Sequence, residues 1–328
     1  MILVVGGAGY IGSHFVKELV RSHNVVVLDN LSTGHRWAVD DKAIFVQGDL
    51  GDTQVVQQLF DSYQIEAVLH FAAYSLVGES VKDPLKYYEN NVVATFNLLK
   101  LMKENSINNF IFSSTAATYG IPQVEFIDEQ TPTHPINPYG HSKLMVEQMI
   151  QDFSKSYGLN YVILRYFNAA GADESGLIGE YHTPETHLIP LVLQHLLGQR
   201  ESISVYGTNY DTPDGTCIRD YIHVTDIAKA HVVVLDQLLA GKKLNTVYNL
   251  GNGNGYSVKQ VIDMCQKVTG KKANVQYVGS REGDPAILVA NAEKIYNEFG
   301  WKAYQDLFRI INSAYKWHSN NVYSNQLE

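Results

Sequence analysis

The stretch that decides the fold is "ILVVGGAGYIGSHFVKEL", residues 2–19. Its first residues are apolar and β-branched, which predicts a buried strand, and its last part has apolar residues at helical spacing. Between them, Gly6, Gly9 and Gly12 match G-x-x-G-x-x-G, while Gly7, Gly9 and Gly12 match G-x-G-x-x-G. Chance produces such a triplet with a probability of roughly 0.14 in a chain of this composition, so the strand before it and the helix after it carry the argument. A glycine loop between strand and helix predicts a pyrophosphate site.

The second predicted strand adds to this interpretation because it ends at Asp29, twenty residues beyond Gly9. A carboxylate there can accept both ribose hydroxyls of an adenosine and would repel a 2′-phosphate, which favours NAD over NADP. The alternative, a tight turn followed by a surface aspartate, needs two coincidences. Asp49, at a later strand end, is a candidate contact for the adenine amino group, and a loop-capping aspartate is the alternative there.

Outward from this segment, short apolar runs alternate with helical patterns. Continuous hydrophobicity is typical of strands covered by helices on both faces. The pattern predicts an α/β fold with a doubly wound, parallel, Rossmann-type sheet and a second, smaller mixed α/β domain. We predict an NAD-binding domain over 1–172, joined by returning segments near 220–250, and a substrate domain over 173–328. The predicted strands cover 2–5, 24–29, 44–50, 67–73, 109–114 and 161–168, with a long amphipathic helix over 84–105.

The composition limits the possible functions. The 328 residues are 45% hydrophobic and 18% charged, as in a globular protein, and the net charge of −9 argues against nucleic acid or an anionic membrane as partner. With only seven arginines, an anionic ligand must be bound by particular ones. Two cysteines form neither a disulfide framework nor a metal cluster, so we expect no metal. We find no signal peptide or membrane-spanning run and expect a cytoplasmic protein.

A second informative stretch is "NPYGHSKLMVEQMI", residues 137–150, which begins with a capping asparagine and a proline. Tyr139 and Lys143 are one turn apart on a stripe shared with Val146 and Ile150. A lysine on a buried stripe needs a polar partner, such as cofactor ribose hydroxyls. A nearby ammonium and the helix N-terminus would lower the tyrosine pKa and produce a general base. The alternative is a packed tyrosine with a snorkelling lysine, since chance alone yields about one such pair.

Thr115 lies one strand end earlier, in "FSSTAATYG", residues 112–120. Its hydroxyl is predicted at the carboxyl edge of the sheet, where it can bond a substrate oxygen and relay a proton. The alternative is an ordinary turn-forming hydroxyl, so this prediction depends on Tyr139 and Lys143.

Together these features resemble the extended short-chain dehydrogenase/reductase superfamily. Within it, the chain is similar to the UDP-glucose 4-epimerase family, and the similarity extends from the N-terminus to residue 285. The motifs that carry it are "GGAGYIGSH", "NPYGHSKLMVEQ", "LRYFNAAGA", "DGTCIRDYIHVTD", "YNLGNG" and "REGDP".

This resemblance implies an isomerase of galactose metabolism that interconverts UDP-glucose and UDP-galactose with a permanently held NAD. Tyr139 would take the proton of the sugar 4-hydroxyl while hydride passes from C4 to the nicotinamide. The 4-keto sugar would turn over and receive hydride on its opposite face. Thr115 would bind the 4-oxygen, and Lys143 would hold the nicotinamide ribose. An enzyme that accepts both epimers must take its affinity from the constant UDP part.

The resemblance also implies two sets of contacts. The NAD contacts would be Gly6, Gly9, Tyr10, Ile11, Gly12, Asp29, Asn30, Asp49, Leu50, Phe71, Ala72, Ala73, Asn91, Ser113, Tyr139, Lys143, Tyr166 and Phe167. The substrate contacts would be Thr115, Tyr139, Asn168, His187, Leu188, Ser204, Tyr206, Arg219, Arg281 and Asp284, the two arginines binding the diphosphate. The chain departs from the family pattern at Ser75 (a lysine in some members), His187 (an asparagine) and Leu288, near the sugar C2 substituent.

Several alternatives remain open from the residues alone. A nucleotide-sugar 4,6-dehydratase shares the Tyr-Lys pair but needs an Asp-Glu after the strand threonine, where this chain has Ala116 and Ala117. A keto-sugar reductase would release NAD(P) at each turnover, and a non-catalytic sensor would only bind the dinucleotide. Acceptance of N-acetylated UDP-hexosamines is undecided. A homodimer is expected from the resemblance.

Overall fold

The protein is described by a computed structural model that covers residues 1–281 and 283–320. The strands are β1 (Ile2–Val5), β2 (Val25–Asp29), β3 (Ile44–Gln47), β4 (Ala67–His70), β5 (Asn109–Thr115), β6 (Asn160–Tyr166), β7 (Asn168–Ala170), β8 (Ile203–Tyr206), β9 (Ile218–His223), β10 (Thr246–Leu250), β11 (Gly255–Ser257), β12 (Val275–Val278) and β13 (Ile287–Leu288). The α-helices are α1 (Tyr10–Leu19), α2 (Thr53–Ser62), α3 (Val77–Lys82), α4 (Pro84–Tyr87), α5 (Ala94–Glu104), α6 (Pro138–Tyr157), α7 (Leu188–Leu196), α8 (Val224–Leu239), α9 (Val258–Thr269), α10 (Glu293–Phe299) and α11 (Leu307–Ser319).

A seven-stranded sheet has the order β10-β6-β5-β4-β1-β2-β3. The pairs from β6 through β3 are parallel, with Val4 opposite both Val27 and Leu69. The predicted doubly wound, Rossmann-type sheet is therefore confirmed. The strand order reverses between β1 and β4, and ligands of such sheets bind at the carboxyl ends of the strands at this point.

The buried strands explain why this sheet forms. All residues of β1, β2 and β4 are buried, and their apolar side chains join a core with α2, α5 and α6. The helix predicted over 84–105 is interrupted, because residues 88–93 between α4 and α5 form a π-helical segment. This wider turn contains the buried amide of Asn91.

The described chain divides into two compact units. The first unit consists of Met1–Gly120, Pro132–Tyr166 and Ala228–Tyr248. The second consists of Ile121–Thr131, Phe167–Ile227 and the described residues from Asn249 onward. No helix in the described ranges is long and apolar enough to cross a membrane.

The second unit has its own sheets and core. In one sheet β9 lies between β11 and β13 and also pairs with β7, while β8 and β12 form a separate parallel pair. Apolar residues of α7, α9 and α11 pack together with β8 in one buried cluster. This core fixes β8 and β9, the strands that carry several predicted substrate contacts.

Candidate active site

The glycine loop after β1 is shaped so that two of its positions exclude a side chain. Gly6 has a φ of +79°, and a Cβ there would lie 2.4 Å from the backbone nitrogen of Ala72. A Cβ on Gly12 would lie 2.2 Å from the Gly6 carbonyl oxygen. Gly9 caps the N-terminus of α1 without a side chain that would cover the free N–H groups. The loop leaves the helix N-terminus open to an anion such as a pyrophosphate.

Asp29 ends β2 in a buried position beside this loop. Its carboxylate accepts the backbone N–H of Ala8 at 2.9 Å and that of Leu31 at 2.8 Å. Burial raises the pKa of Asp29, and the two backbone hydrogen bonds offset only part of that rise. The carboxylate is thus held in one orientation, as the binding of a ribose diol requires.

We predict that Asp29→Asn weakens NAD binding on the order of 10- to 100-fold, the worth of a hydrogen bond to a charged group. The asparagine loses the charge and turns a donor toward one of the two backbone N–H groups. The NAD content of the purified protein and a binding titration measure the effect. Asp61→Asn, at an exposed position of α2, is the matched control and should retain NAD like the unaltered protein.

A cleft at the switch point brings eight of the eighteen predicted NAD contacts together. Predicted residues that line it are Gly6, Gly9, Asp29, Asn30, Leu50, Phe71, Ala72 and Ala73. Ser32, Thr33, Tyr74 and Asn90 also line it and were not predicted. Tyr74 directly follows a predicted strand end, and Ser32 and Thr33 lie in the loop after the strand that ends at Asp29, so their position was a signal in the sequence. The open helix end, the excluded Cβ positions and Asp29 together fit a dinucleotide.

The remaining contacts predicted near the cleft support its walls. The Asp49 carboxylate accepts the N–H of Gly51 at 2.7 Å and the side-chain amide of Asn30 at 2.7 Å. Tyr10 and Ile11 lie half-buried in the first turn of α1. The Asn91 side chain bonds both backbone groups of Tyr74 at 3.0 Å.

The Tyr139-Lys143 pair lies on α6, next to the end of β5. Asn137 caps this helix by accepting the Gly140 N–H at 2.9 Å, and Pro138 follows at its first position, so the predicted helix start is confirmed. The Thr115 side chain lies close enough to the Tyr139 hydroxyl to lower its pKa. Lys143 is buried, and its ammonium donates to the Ser113 carbonyl oxygen at 2.8 Å. The structure thus brings the three predicted catalytic side chains to the carboxyl end of β5.

One amide connects this group to the cleft. Asn91 bonds Tyr74 in the cleft wall and donates to the Ser142 hydroxyl at 3.1 Å, one residue before Lys143. In addition, β5 neighbours β4, whose following residues line the cleft. The cofactor cleft and the Tyr-Lys pair therefore share one edge of the sheet.

The pKa of Tyr139 differs from the expectation. Burial raises it, and the Thr115 side chain offsets only part of the rise, so the direction is opposite to the predicted lowering. The physical reason is that the phenol loses its hydration, while the Lys143 ammonium bonds the Ser113 carbonyl. Burial also lowers the pKa of Lys143 to about 7, against a smaller opposing effect of Glu147.

A buried ionic network below Lys143 was missed by the sequence reasoning. Glu147 accepts two hydrogen bonds from Arg165, at 3.0 and 2.5 Å, and one from Ser114 at 2.5 Å. Arg165 neutralises Glu147, and among the described residues no carboxylate lies within ion-pair distance of the Lys143 ammonium. The position of Glu147, four residues after Lys143, was the only signal in the sequence.

Two further predicted NAD contacts lie at the end of β6. The Tyr166 hydroxyl is 2.8 Å from Ser113 Oγ and 2.6 Å from His231 Nε2. Phe167, the first residue of the second unit after β6, is buried, and its N–H donates to the Leu250 carbonyl oxygen at 3.1 Å. Their contact with a cofactor stays a prediction.

In the second unit, the two predicted phosphate-binding arginines have different partners. Arg219 on β9 has its Nη2 3.6 Å from the Asp284 carboxylate. The Arg281 guanidinium carbon is 3.8 Å from the centroid of the Tyr206 ring, a cation–π contact. Tyr206 and Ser204 are exposed on the same face of β8. Four of the predicted substrate contacts thus form two close pairs.

The other predicted substrate residues are dispersed over this unit. Asn168 is exposed at the start of β7, and Leu188 is half-buried in the first turn of α7. Leu288 on β13 pairs with Arg219 on β9. His187 has its Nδ1 2.8 Å from Glu180 and 3.1 Å from Glu185. Burial lowers the pKa of His187, but these carboxylates outweigh it and raise the pKa to about 10.

Comparisons with known proteins give a consistent result. The model of the NAD dependent epimerase/dehydratase family matches residues 2–251. A UDP-glucose 4-epimerase of Halalkalibacterium halodurans is 50% identical over 329 aligned positions that cover 100% of this chain and 98% of the relative.

Solved structures agree. A UDP-glucose 4-epimerase of Brucella ovis in complex with NAD is 46% identical, with a TM-score of 0.93, covering 96% of this chain and 97% of that one. A UDP-glucose 4-epimerase of Bifidobacterium longum in complex with NAD⁺ and UDP is 40% identical, with a TM-score of 0.93 and 98% coverage of both chains.

Proposed function

The chain belongs to the NAD dependent epimerase/dehydratase family, and from this premise we propose that it interconverts UDP-glucose and UDP-galactose at the sugar C4. The observation that carries the proposal is the placement of Tyr139 beside Thr115 at the carboxyl end of β5, with Lys143 one turn away on the same helix. The cofactor is NAD, which the open helix end, the excluded Cβ positions and Asp29 fit.

Each catalytic side chain has a task that follows from its place. Tyr139 removes the proton of the 4-hydroxyl. Thr115 holds the 4-oxygen with its own hydroxyl, which lies beside that of Tyr139. Lys143, buried and held by the Ser113 carbonyl, presents its remaining donors to the nicotinamide ribose. NAD supplies the hydride acceptor and a positive charge when bound. Because burial raises the pKa of Tyr139 in the protein, added positive charge is what makes it a base.

We further propose that the first unit holds NAD and that the second holds the UDP part of the substrate. Arg219 and Arg281 would bind the diphosphate, Asp284 the uridine ribose, and Ser204, Tyr206 and Leu188 the uracil side. Asn168 and His187 would contact the sugar. The homodimer and the cytoplasmic location stay predictions, and light scattering of the purified protein measures the former.

The sequence around Thr115 supports epimerisation over the related reactions. A 4,6-dehydratase needs an acid and a base next to this threonine to eliminate water, and Ala116 and Ala117 offer neither. A keto-sugar reductase would need exchange of its NAD(P) at each turnover. Purified protein should carry NAD and convert UDP-galactose without added cofactor. If the protein converted neither UDP-galactose nor UDP-N-acetylgalactosamine, the epimerase proposal would be refuted. Conversion of UDP-N-acetylgalactosamine would extend the substrate range.

Substitution of Arg219 is predicted to act on substrate binding. Arg219→Gln should raise KM for UDP-galactose on the order of 10- to 100-fold, since a hydrogen bond to a charged group is lost, and it should change kcat much less. Steady-state kinetics and the inhibition constant of UDP measure this. Arg200→Gln, an exposed position of the same unit, is the control. Equal KM values for both variants would show that Arg219 does not bind the diphosphate.

A further inference from the structure

A cluster of two glutamates and two histidines lies in the segment before α7. Glu180, His182, Glu185 and His187, here the His-Glu cluster, follow the pattern E-x-H-x-x-E-x-H. Each of them offers one ligand atom, and these atoms all lie within 4.8 Å of one another. Imidazole and carboxylate are both common ligands of zinc, so the chemistry of the four side chains suits a transition metal.

The distances between the imidazole nitrogens and the carboxylate oxygens equal the edges of a coordination tetrahedron or are shorter. His182 Nδ1 is 3.4 Å from Glu180 and 3.5 Å from Glu185. His187 Nδ1 is 2.8 Å from Glu180 and 3.1 Å from Glu185. Zinc bonds to nitrogen and oxygen of about 2.0–2.2 Å imply ligand-to-ligand edges of roughly 3.3–3.5 Å. The two His182 distances match these edges, whereas the His187 distances are shorter by up to about 0.5 Å, so the His187 imidazole would move outward to admit an ion.

The two buried carboxylates of the cluster need a positive charge near them. The side chains of Glu180 and Glu185 are only 5% and 4% exposed, so their carboxylates are shielded from water. Among the described residues, neither glutamate is in ion-pair distance of a lysine or an arginine. The charge of the two carboxylates can be balanced either by protons on the two imidazoles or by a divalent ion. The imidazoles, 25% and 43% exposed, leave the ion a route from solvent.

Hydrogen bonds hold the Glu185 carboxylate and the backbone of Glu180 in place. Glu185 accepts the N–H groups of Thr186 at 2.6 Å and of His187 at 2.8 Å. The Glu180 carbonyl oxygen accepts the Trp317 indole N–H at 2.9 Å, and a Cβ on Gly179 would lie 2.4 Å from the same indole. Ordered ligands lower the entropic cost of binding an ion.

We propose that the His-Glu cluster binds one divalent transition-metal ion, zinc by preference, with one donor from each of its four side chains. The ion fastens residues 180–187 ahead of α7. The sequence expectation of no metal considered cysteine spacing and did not consider these four residues. The alternative is a metal-free cluster of ion pairs between protonated histidines and glutamates.

Metal content of tag-free protein tests the proposal. After incubation with zinc and dialysis, the protein should hold about one zinc per chain by plasma mass spectrometry, and zinc should raise its Tm. His182→Gln should lose both effects, because it removes one donor from the cluster. His134→Gln, a change at an exposed histidine outside the cluster, is the matched control and should keep both.

Cobalt provides a readout that does not depend on the folding of a variant. Co²⁺ bound by the unaltered protein should show the intense visible bands of a tetrahedral site, and added zinc should abolish them. Weak octahedral bands, no retained zinc, or equal zinc in the unaltered and His182→Gln proteins would overturn the proposal and favour the ion-pair cluster.

Discussion

Tyr139→Phe is expected to lower kcat for UDP-galactose by about 10²- to 10⁴-fold, the usual contribution of a general base. The change removes one hydroxyl, the group that lies beside Thr115 and takes the proton of the sugar 4-hydroxyl. The ring remains, so the helix start at Asn137 and the cofactor cleft should be unaffected. The protein should therefore keep its NAD and its KM for substrate while losing turnover.

The matched control for this variant is Tyr157→Phe. Tyr157 belongs to the same helix, is 56% exposed and lies near its C-terminal end, so its loss should leave kcat unchanged. If Tyr139→Phe turned over like this control, Tyr139 would not be the base. A protein that binds NAD but is indifferent to both changes would match the non-catalytic sensor.

Lys143→Met is expected to have the second largest effect, a fall in kcat on the order of 10²-fold or more together with loss of NAD during purification. The side chain is buried and places its ammonium 2.8 Å from the Ser113 carbonyl and 4.7 Å from the centroid of the Phe112 ring. Methionine keeps the volume but removes every donor to the nicotinamide ribose. Lys155→Met, 74% exposed on the same helix, is the control. Equal NAD content and kcat in both variants would contradict the proposed role.

The pH dependence of stability provides an independent test of the burial of Lys143. Its pKa is lowered from 10.5 to about 7, so between these values the unfolded chain binds more protons at this site than the folded chain. Stability of the nucleotide-free protein should thus rise with pH relative to Lys143→Met, by up to about 1.4 kcal/mol per pH unit. Urea unfolding of both proteins at pH 7 and pH 9 measures the difference. A difference that stays constant would show an ammonium exposed to solvent.

Local patterns predicted much of this molecule. Strand, glycine loop and helix are consecutive in the first 19 residues, and Asp29 ends the next strand, so the Rossmann-type sheet and its cleft followed from short-range signals. The start of α6 was also local, because Asn137 and Pro138 cap it by themselves. The comparisons with known proteins confirm the family and NAD.

Features that depend on distant residues were not predicted. The Glu147-Arg165 pair joins α6 to β6, and periodicity alone does not indicate which arginine meets a buried glutamate. The direction of the Tyr139 pKa shift depends on how deeply the ring is buried. The π-helical segment at 88–93 interrupts a helix whose sequence reads as continuous, and it carries the amide of Asn91 that joins Tyr74 to Ser142.

The central claim, that hydride leaves C4 and returns to it while NAD stays bound, is tested most directly by isotope retention. UDP-glucose carrying deuterium at C4 would be incubated in ordinary water with purified protein and no added NAD. The account predicts UDP-galactose that keeps its deuterium at C4, because the hydride never exchanges with solvent. Product that has lost its deuterium to water, or no product at all, would contradict it.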